Sequence, residues 1–265
     1  MTGADAAAAG LGGAPAIAPA LRITGATKRF GAVLALDGVD LEVRRGQVLA
    51  LLGDNGAGKS TLINCLSGVH RLDSGSIEVD GERVAISSPA DARDLGIETV
   101  YQDLALFDNL SPAANFYAGR ELTGPRWAPR SLRFLRRRDM SQATRDLLRR
   151  LEVTLPEFDA LVGLMSGGQR QAVAVARAAA FASKIVVLDE PTAALGVRES
   201  RSVLDLILRL RNEGNAVIVI SHALDHVIEI ADTAVVLRRG RKVGEIVPTA
   251  DNHSEIVALI VGGAA

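Results

Sequence analysis

The sequence predicts an α/β fold with a helical insert, and two observations favour this class. Continuous apolar runs such as Val48–Leu52 and Ile185–Leu188 are typical of strands that are buried on both faces, as in a parallel sheet. Predicted strands and helices alternate before residue 104 and again after residue 164. We therefore expect a single domain over residues 21–265, preceded by a flexible tail over residues 1–20 that is rich in Ala, Gly and Pro.

Composition and charge exclude several classes of protein. The chain has 265 residues, which is enough to bury a sizeable core without disulfide bonds. Its 30 basic and 31 acidic residues give a net charge of −1, which argues against a nucleic-acid partner held by bulk charge. The single cysteine, Cys65, excludes an internal disulfide and suits a reducing compartment. No apolar run reaches the roughly 18 residues that a membrane-spanning helix needs.

The region before the insert is predicted to contain short strands and one clear helix. The helix follows Val48–Leu52, because Leu62, Ile63 and Leu66 fall on one apolar stripe. Asp80-Gly81 is typical of a hairpin turn. The expected strands are Leu21–Ile23, Val33–Leu36, Val39–Val43, Val48–Leu52, Ile77–Val79, Val84–Ile86 and Ile97–Tyr101.

The middle of the chain changes character, and the α/β pattern then returns. Residues 126 to 150 carry nine arginines and two aspartates, and helical spacing resumes after Ser141. We expect a mostly helical lobe over about residues 104–164, with its arginines on a solvated face. The elements expected after it are helices over Arg170–Ala182, Ser200–Arg211 and Leu224–Ala231, strands over Ile185–Leu188, Ala216–Ile220, Ala234–Leu237 and Lys242–Ile246, and a short final helix.

A glycine-rich loop follows the apolar run Val48–Leu52. It has the pattern G-x-x-x-x-G-K-S between a predicted strand and a predicted helix. Glycines let the backbone curl so that successive N–H groups point at phosphate oxygens, and the helix N-terminus adds partial positive charge. We expect Lys59 to reach the outer phosphates and the Ser60 hydroxyl to ligate Mg²⁺. The predicted phosphate-binding residues are Gly53, Asp54, Asn55, Gly56, Ala57, Gly58, Lys59, Ser60 and Thr61.

Two carboxylates follow the apolar strand Ile185–Leu188. Asp189 ends that strand and Glu190 comes next, in the position of the usual acidic companion of a phosphate loop. One carboxylate can hold the metal while the other orients or deprotonates water. A polar strand cap is the alternative interpretation, and the phosphate loop makes it the weaker one. Kinases, GTPases and motor proteins share both motifs, which therefore predict the chemistry but not the biological role.

The segment Leu164-Met-Ser-Gly-Gly-Gln169 narrows the class. It resembles the L-S-G-G-Q signature of the ATP-binding cassette (ABC) family, with Met165 in place of the common leucine. The resemblance extends in the family's motif order from Leu21 to about Gly263. It implies a P-loop NTPase core with an antiparallel β subdomain and a helical insert lobe, and an ATPase that uses ATP and Mg²⁺. A small-molecule kinase, one rival, would need neither the Ser-Gly-Gly-Gln segment nor Glu190.

The same resemblance implies roles for residues that carry little information alone. Phe30 looks like the aromatic residue that stacks on adenine, and His222 like the histidine at the terminal phosphate. Gln102 looks like the glutamine that links the nucleotide and its metal to a membrane partner. The implied catalytic residues are then Glu190, His222 and Gln102, and the implied metal ligands are Ser60, Gln102 and Asp189.

The signature segment also predicts a shared site. Ser166, Gly167, Gly168 and Gln169 precede or open a predicted helix and form a second anion site, far in sequence from the phosphate loop. We therefore expect a homodimer in the closed state, with two ATP molecules held between the chains.

One position departs from the family pattern, and it points to a subgroup. The family usually continues D-E-P-T-S-A-L-D, but the last of these positions is Gly196, in place of an aspartate that braces the dimer. The run Thr192–Glu199, together with residues 96–106, 109–115 and 118–121, is similar to bacterial monosaccharide importers. Import of another small solute, such as an amino acid, and a soluble ABC ATPase outside transport are the alternatives.

The importer resemblance implies specific partners and a location. We expect transmembrane permease subunits as direct partners and a periplasmic or extracellular sugar-binding protein as an indirect one. The chain would then be peripheral on the cytoplasmic face of the inner membrane. The part of the lobe around Gln102–Arg120 is the expected docking surface.

Overall fold

A mostly parallel sheet organises the computed structural model, which describes residues 18–125, 127, 129 and 133–262. Within these residues the sheet has six strands, and only its edge pair, β11 and β12, is antiparallel. The strands in spatial order are β12 (Arg241–Ile246), β11 (Thr233–Arg238), β3 (Val48–Leu52), β10 (Ala216–Ile220), β9 (Ile185–Asp189) and β6 (Ile97–Val100).

Both faces of this sheet are buried, as the continuous apolar runs predict. Leu49 and Leu51 of β3 belong to one cluster of buried side chains, whereas Val48 belongs to a second. Val187 and its neighbours Val186 and Leu188 divide in the same way, because successive residues of a strand point to opposite faces. The predicted α/β class is therefore confirmed.

An antiparallel sheet covers one face of the core. Its order is β2 (Val33–Val43), β1 (Leu21–Phe30), β4 (Ser74–Val79) and β5 (Glu82–Val84). The two strands expected on either side of Gly38 form one strand, β2. Gly38 has a φ of +67°, and the pairing of β2 with β1 shifts register there but continues on both sides. The hairpin at Asp80-Gly81 is present, but its second strand ends at Val84 and leaves Ile86 outside.

The folded part begins before the boundary expected from sequence. Ala20 is fully buried, and its carbonyl accepts a hydrogen bond of 3.1 Å from the Asp80 N–H. The expected tail over residues 1–20 therefore ends too late, since its apolar end packs on the sheet. Residues 1–17 of that expectation lie outside the described residues.

Helices cover the second face and the ends of the central sheet. They are α1 (Lys59–Leu66), α2 (Pro89–Asp94), α3 (Pro112–Tyr117), α4 (Arg137–Arg150), α5 (Gly167–Phe181), α6 (Val197–Asn212), α7 (Leu224–Ile230) and α8 (His253–Val261), with short 3₁₀ turns at Val162–Leu164 and Ala250–Asn252. Over the described parts of the chain, no helix is both long and apolar enough to cross a membrane.

The insert is less helical than expected. Its described part holds α3, α4 and the 3₁₀ turn, joined by loops and by a small hairpin of β7 (Thr123–Gly124) and β8 (Phe134–Leu135). Several arginines of this lobe are paired with carboxylates, as Arg145 is with Asp159 and Arg150 with Glu213. The predicted solvated arginine face lies partly at residues 126 and 130, outside the described residues.

Candidate functional site

The phosphate loop, residues 53–60, runs from the end of β3 into α1, and two of its glycines are required by space and backbone. Gly53 has a φ of +147°, and a Cβ atom there would lie 2.3 Å from the Leu237 carbonyl oxygen. Gly58 has a φ of +107°, and its Cβ would lie 2.7 Å from the Ala35 carbonyl oxygen. Any side chain at either position would collide with backbone, so the loop keeps its curl only with glycine.

The backbone N–H groups of this loop fall into two sets, those that are hydrogen-bonded within the loop and those that have no partner in the described part of the chain. The Ala57 N–H donates to the Asp54 carbonyl at 3.1 Å, and the Asn55 N–H donates to Asp54 Oδ1 at 2.7 Å. The helix begins at Lys59 with no side-chain cap, so its first N–H groups have no partner within the helix. Among the described residues, no acceptor is found for the N–H groups of Gly58, Lys59, Ser60 and Thr61.

The Lys59 side chain closes the loop from inside. It is only 7% exposed, and its Nζ atom donates to the carbonyls of Gly53 at 2.7 Å and Asp54 at 3.1 Å. Burial lowers the pKa of Lys59, while the charges of Glu190, Asp189 and Asp54 act in the opposite direction. The ammonium group therefore lies in the electrostatic field of both carboxylates at the end of β9.

Asp189 and Glu190 both act on Lys59 with their charges, although adjacent residues of an extended strand point to opposite faces. Glu190 has a φ of +51°, so the chain leaves the extended conformation immediately after Asp189. Its N–H donates to the Ile220 carbonyl at 3.0 Å, which holds the turn against the end of β10. Burial raises the pKa of both carboxyls, and the Lys59 ammonium opposes that rise at each of them.

His222 follows β10 and faces Glu190. Its Nε2 atom lies 3.3 Å from Glu190 Oε1, close enough for ionic attraction when the ring is protonated. That oxygen is buried, yet within the described parts of the chain it accepts no hydrogen bond. A buried acceptor without a donor is costly, so Glu190 has an unused position for a water molecule or another donor.

The signature loop, Ser166–Gln169, is the start of α5. Ser166 caps the helix, because its Oγ accepts the Gln169 N–H at 3.3 Å while Gln169 Oε1 accepts the Ser166 N–H at 2.9 Å. The helix therefore begins at Gly167, three residues before the expected start at Arg170. The reciprocal bonds of this capping box stabilise the turn and were not part of the sequence prediction.

The structure does not bring the signature loop to the phosphate loop. The signature loop lines a groove of about 360 Å³ together with residues of α6, including Arg198 and Glu199. Residues 54–57 of the phosphate loop line a different groove of about 370 Å³ with Arg238 and Arg239. Within one chain the two glycine-rich segments thus face separate spaces.

Phe30 and Gln102 lie at the margins of the site. Phe30 ends β1 with 42% of its surface exposed, and its ring packs against the edge of His70 with centroids 5.0 Å apart. Gln102 follows β6 and is exposed, with no hydrogen bond to any described residue. Because β6 pairs in parallel with β9, Gln102 and Asp189 leave the sheet at the same edge.

One supporting contact was missed by sequence reasoning. The Thr192 hydroxyl lies 3.0 Å from His226 Nδ1, so the turn after Glu190 is anchored to α7. Thr192 is itself buried. The two residues are 34 positions apart and share no spacing pattern, so only the folded arrangement could reveal this contact.

Comparisons with known proteins agree with this geometry. A family model described as "ABC transporter" matches residues 36–193. The fructose import ATP-binding protein FrcA of Rhizobium meliloti is 46% identical over 245 residues, with 92% of this chain and 94% of that protein covered. The xylose/arabinose import ATP-binding protein XylG of Sulfolobus acidocaldarius is 48% identical, with 83% and 85% covered.

A longer relative and two solved structures complete the comparison. The ribose import ATP-binding protein RbsA 1 of Rubrobacter xylanophilus is 44% identical over 92% of this chain, which spans only 47% of that protein. A nucleotide-free ATP-binding cassette from an ABC transporter is 26% identical, with a TM-score of 0.75 and 92% and 95% of the chains covered. The ADP conformation of the cassette MJ1267 is also 26% identical, with a TM-score of 0.76 and 92% and 99% covered. This chain is thus an ATP-binding cassette and belongs to the ABC transporter family.

Proposed function

We propose that this chain hydrolyses ATP to power the import of a monosaccharide through a separate membrane permease. The observation that carries the ATPase assignment is the meeting of Lys59, the free N–H groups at the start of α1 and the buried Glu190 carboxylate. These groups supply, in one place, donors for phosphate oxygens and a base for water. The printed names of the fructose, xylose/arabinose and ribose relatives favour a sugar as the cargo.

In this proposal both backbone N–H groups and side chains bind the nucleotide. The N–H groups of Gly58 to Thr61 donate to phosphate oxygens, and the α1 dipole adds to their attraction. The Lys59 ammonium uses two of its donors on the loop itself, so it is held ready beside the outer phosphates. Phe30 supports the adenine ring by stacking, since its ring is exposed at the end of β1.

The donor set at the end of β9 fits Mg²⁺. This metal prefers oxygen ligands and is commonly held by one or two protein oxygens together with phosphate oxygens. The Ser60 hydroxyl, the Asp189 carboxylate and the Gln102 side chain would hold the ion in our proposal. The bound ion would neutralise charge on the phosphate oxygens during hydrolysis.

Glu190 acts as the general base. Its carboxylate holds and deprotonates the attacking water, and its raised pKa strengthens it as a proton acceptor. His222 Nε2 lies 3.3 Å from Glu190 Oε1, and from this position the ring keeps the water and the terminal phosphate aligned. The turn locked by Thr192 and His226 fixes the direction of the Glu190 side chain relative to the phosphate loop.

Two chains complete the site together. Because the signature loop and the phosphate loop of one chain line different grooves, the helix N-terminus at the signature loop serves the nucleotide of a second copy. A twofold dimer repeats this contact, so each nucleotide lies between the phosphate loop of one chain and the signature loop of the other.

The helical lobe is the docking surface for the permease. A groove of about 460 Å³ runs between α3 and α4 and is lined by apolar residues that include Leu110, Ala113 and Met140. Arg120, three residues after α3, donates to Glu98 of β6 at 2.6 Å and so ties the lobe to the strand that leads to Gln102. The chain is then peripheral on the cytoplasmic face of the membrane, with a periplasmic or extracellular sugar-binding protein as an indirect partner.

The test is the ATPase rate of the complex of this chain, its permease and its solute-binding protein in lipid vesicles. Pentoses and hexoses are added singly, with branched-chain amino acids as the matched negative set. We expect one sugar to stimulate hydrolysis and the amino acids to leave it at the basal rate. Stimulation by an amino acid and by no sugar would overturn the cargo while leaving the ATPase intact. Hydrolysis that needs no permease for full rate would contradict the transport role.

A further inference from the structure

Glu199 fills the space between the signature loop and the turn that follows Glu190. A Cβ atom added at Gly168 would lie 2.6 Å from Glu199 Cγ and 2.7 Å from its Cβ. A Cβ atom added at Gly196 would lie 2.5 Å from Glu199 Oε2. The carbon stem of Glu199 therefore rests on Gly168, and its carboxylate rests on Gly196. Neither glycine has a positive φ, so the backbone alone would allow a larger residue at either position. The Glu199 side chain excludes one, because it occupies the space that a Cβ atom would need.

The Glu199 carboxylate is held by its place in the helix. Glu199 is the third residue of α6, whose cap, Gly196, has no side chain to offer the helix N-terminus. A carboxylate in the first turn interacts favourably with the helix dipole. Among the described residues, Glu199 has no ion pair or side-chain hydrogen bond. Glu199 therefore acts through the space that its side chain occupies, since no neighbouring described side chain pairs with its charge.

The chain between Glu190 and Glu199 is short and hydrogen-bonded. The Ala193 N–H donates to the Glu190 carbonyl at 3.1 Å, and the Leu195 N–H donates to the Thr192 carbonyl at 3.4 Å. Thr192 is anchored on α7, as described above. Nine positions of hydrogen-bonded chain therefore connect Glu190 to Glu199, whose stem lies against the signature loop.

We propose that Glu199 is a positioning residue that couples the two nucleotides of the dimer. It holds the signature loop, which meets one nucleotide, in a fixed place relative to Glu190, which acts on the other. This inference rests on the proposed sharing of sites between two chains. Gly196 departs from the family pattern, and the space beside this glycine is occupied by the Glu199 carboxylate.

The experiment measures ATP-driven dimerisation of the full chain. All variants are made in a Glu190→Gln parent, which is expected to retain the ATP-bound dimer, and are followed by sedimentation velocity across ATP concentrations. Binding of a fluorescent ATP analogue and the melting temperature are measured on the same samples. The matched control is Glu255→Ala, because Glu255 is the third residue of α8, another helix without a side-chain cap, and lies outside the site.

Glu199→Ala should raise the ATP concentration for half-maximal dimerisation by roughly 3–30-fold, the range typical of residues that couple two sites. Nucleotide binding by the monomer should stay at the parent value, because Glu199 does not touch the phosphate loop. Glu199→Gln keeps the stem on Gly168, so its shift should be smaller. Glu255→Ala should shift neither quantity.

A double-mutant cycle separates positioning from general destabilisation. Gly196→Ala should displace the Glu199 carboxylate and weaken dimerisation, but it should have no further effect in the Glu199→Ala background, because the group that it displaces is gone. Additive effects, or a Glu199→Ala variant that matches Glu255→Ala, would overturn the coupling role. A Glu190→Gln parent that never dimerises with ATP would overturn the shared sites themselves, and the inference with them.

Discussion

The phosphate loop and the signature loop are both glycine-rich starts of helices, but they differ in how many of their first N–H groups have a hydrogen-bond acceptor. At α1 the cap is Gly58, which offers no side chain, and the first N–H groups have no acceptor in the described part of the chain. At α5 the cap is Ser166, and a reciprocal pair of bonds with Gln169 satisfies the N–H groups of Ser166 and Gln169, whereas those of Gly167 and Gly168 have no acceptor among the described residues.

Their surroundings differ in the same sense. The phosphate loop contains a buried ammonium, Lys59, and lies in the field of two carboxylates at the end of β9. The signature loop packs on Leu195 and Glu199 and lines an open groove. A glycine-rich helix start is therefore a complete anion site only where charge and unsatisfied donors converge. The signature loop becomes one when a second chain brings a nucleotide to it.

The largest effect on ATP turnover is expected at Glu190, whose charge acts on Lys59 of the phosphate loop. Glu190→Gln should cut ATP turnover by roughly 10²–10⁴-fold, because it removes the general base but keeps the shape of the side chain. ATP binding should persist, and the closed dimer should accumulate, which size-exclusion chromatography with ATP would show. Turnover close to that of a surface control such as Glu245→Gln would remove Glu190 from the mechanism.

A bulky cation at the signature loop should stop turnover without weakening the phosphate loop. Ser166→Arg places a long side chain where the partner's nucleotide must lie, so the dimer should not close and most ATPase activity should be lost. Fluorescent-nucleotide binding by the monomer should be unchanged. Ser166→Ala is the control for bulk, because it also removes the cap, worth about 0.5–2 kcal/mol of stability, but adds no large side chain. Full activity in Ser166→Arg would mean that the two loops do not share a nucleotide.

A substitution in the phosphate loop should instead weaken the binding of ATP. Lys59→Ala removes a cation that contacts phosphate before and during the reaction, so affinity and rate should both fall, with ATP binding weakened by roughly 10–100-fold. Isothermal titration of the monomer measures the first effect, and steady-state kinetics measure the second. Lys242→Ala, at an ion pair with Glu245 on β12, should change neither. Unchanged affinity in Lys59→Ala would contradict the predicted phosphate contact.

The smallest effect is a displacement of the pH profile. Burial raises the pKa of Glu190 above its ordinary value of 4.5, so the base is lost as pH falls through a higher value than an exposed glutamate would give. The acid limb of kcat/KM against pH, which reports the free enzyme, should therefore lie above 4.5. The charge of His222 opposes this rise, so His222→Gln should move the limb further upward. A limb that moves downward in this variant would exclude Glu190 as the titrating base.

Much of the fold and the site follows from local patterns. The apolar runs identified β3, β9 and β10, because strands buried on both faces need side chains that are apolar at every position. The spacing from Gly53 to Ser60 placed the loop between strand and helix, where the structure has it. The boundaries were less accurate, as at Ala20 and Gly167, since a buried alanine and a serine cap become visible only through their partners.

The sequence by itself determined which residues carry charge and which segments must curl, because glycine, lysine and carboxylate chemistry is local. Only the tertiary structure decided which of them meet. The left-handed turn at Glu190 and the parallel pairing of β9, β10 and β3 bring residues more than 100 positions apart to one sheet edge. The placement of Glu199 on Gly168 and Gly196 is decided in the same way, because packing between two helix starts depends on distances that no local pattern encodes.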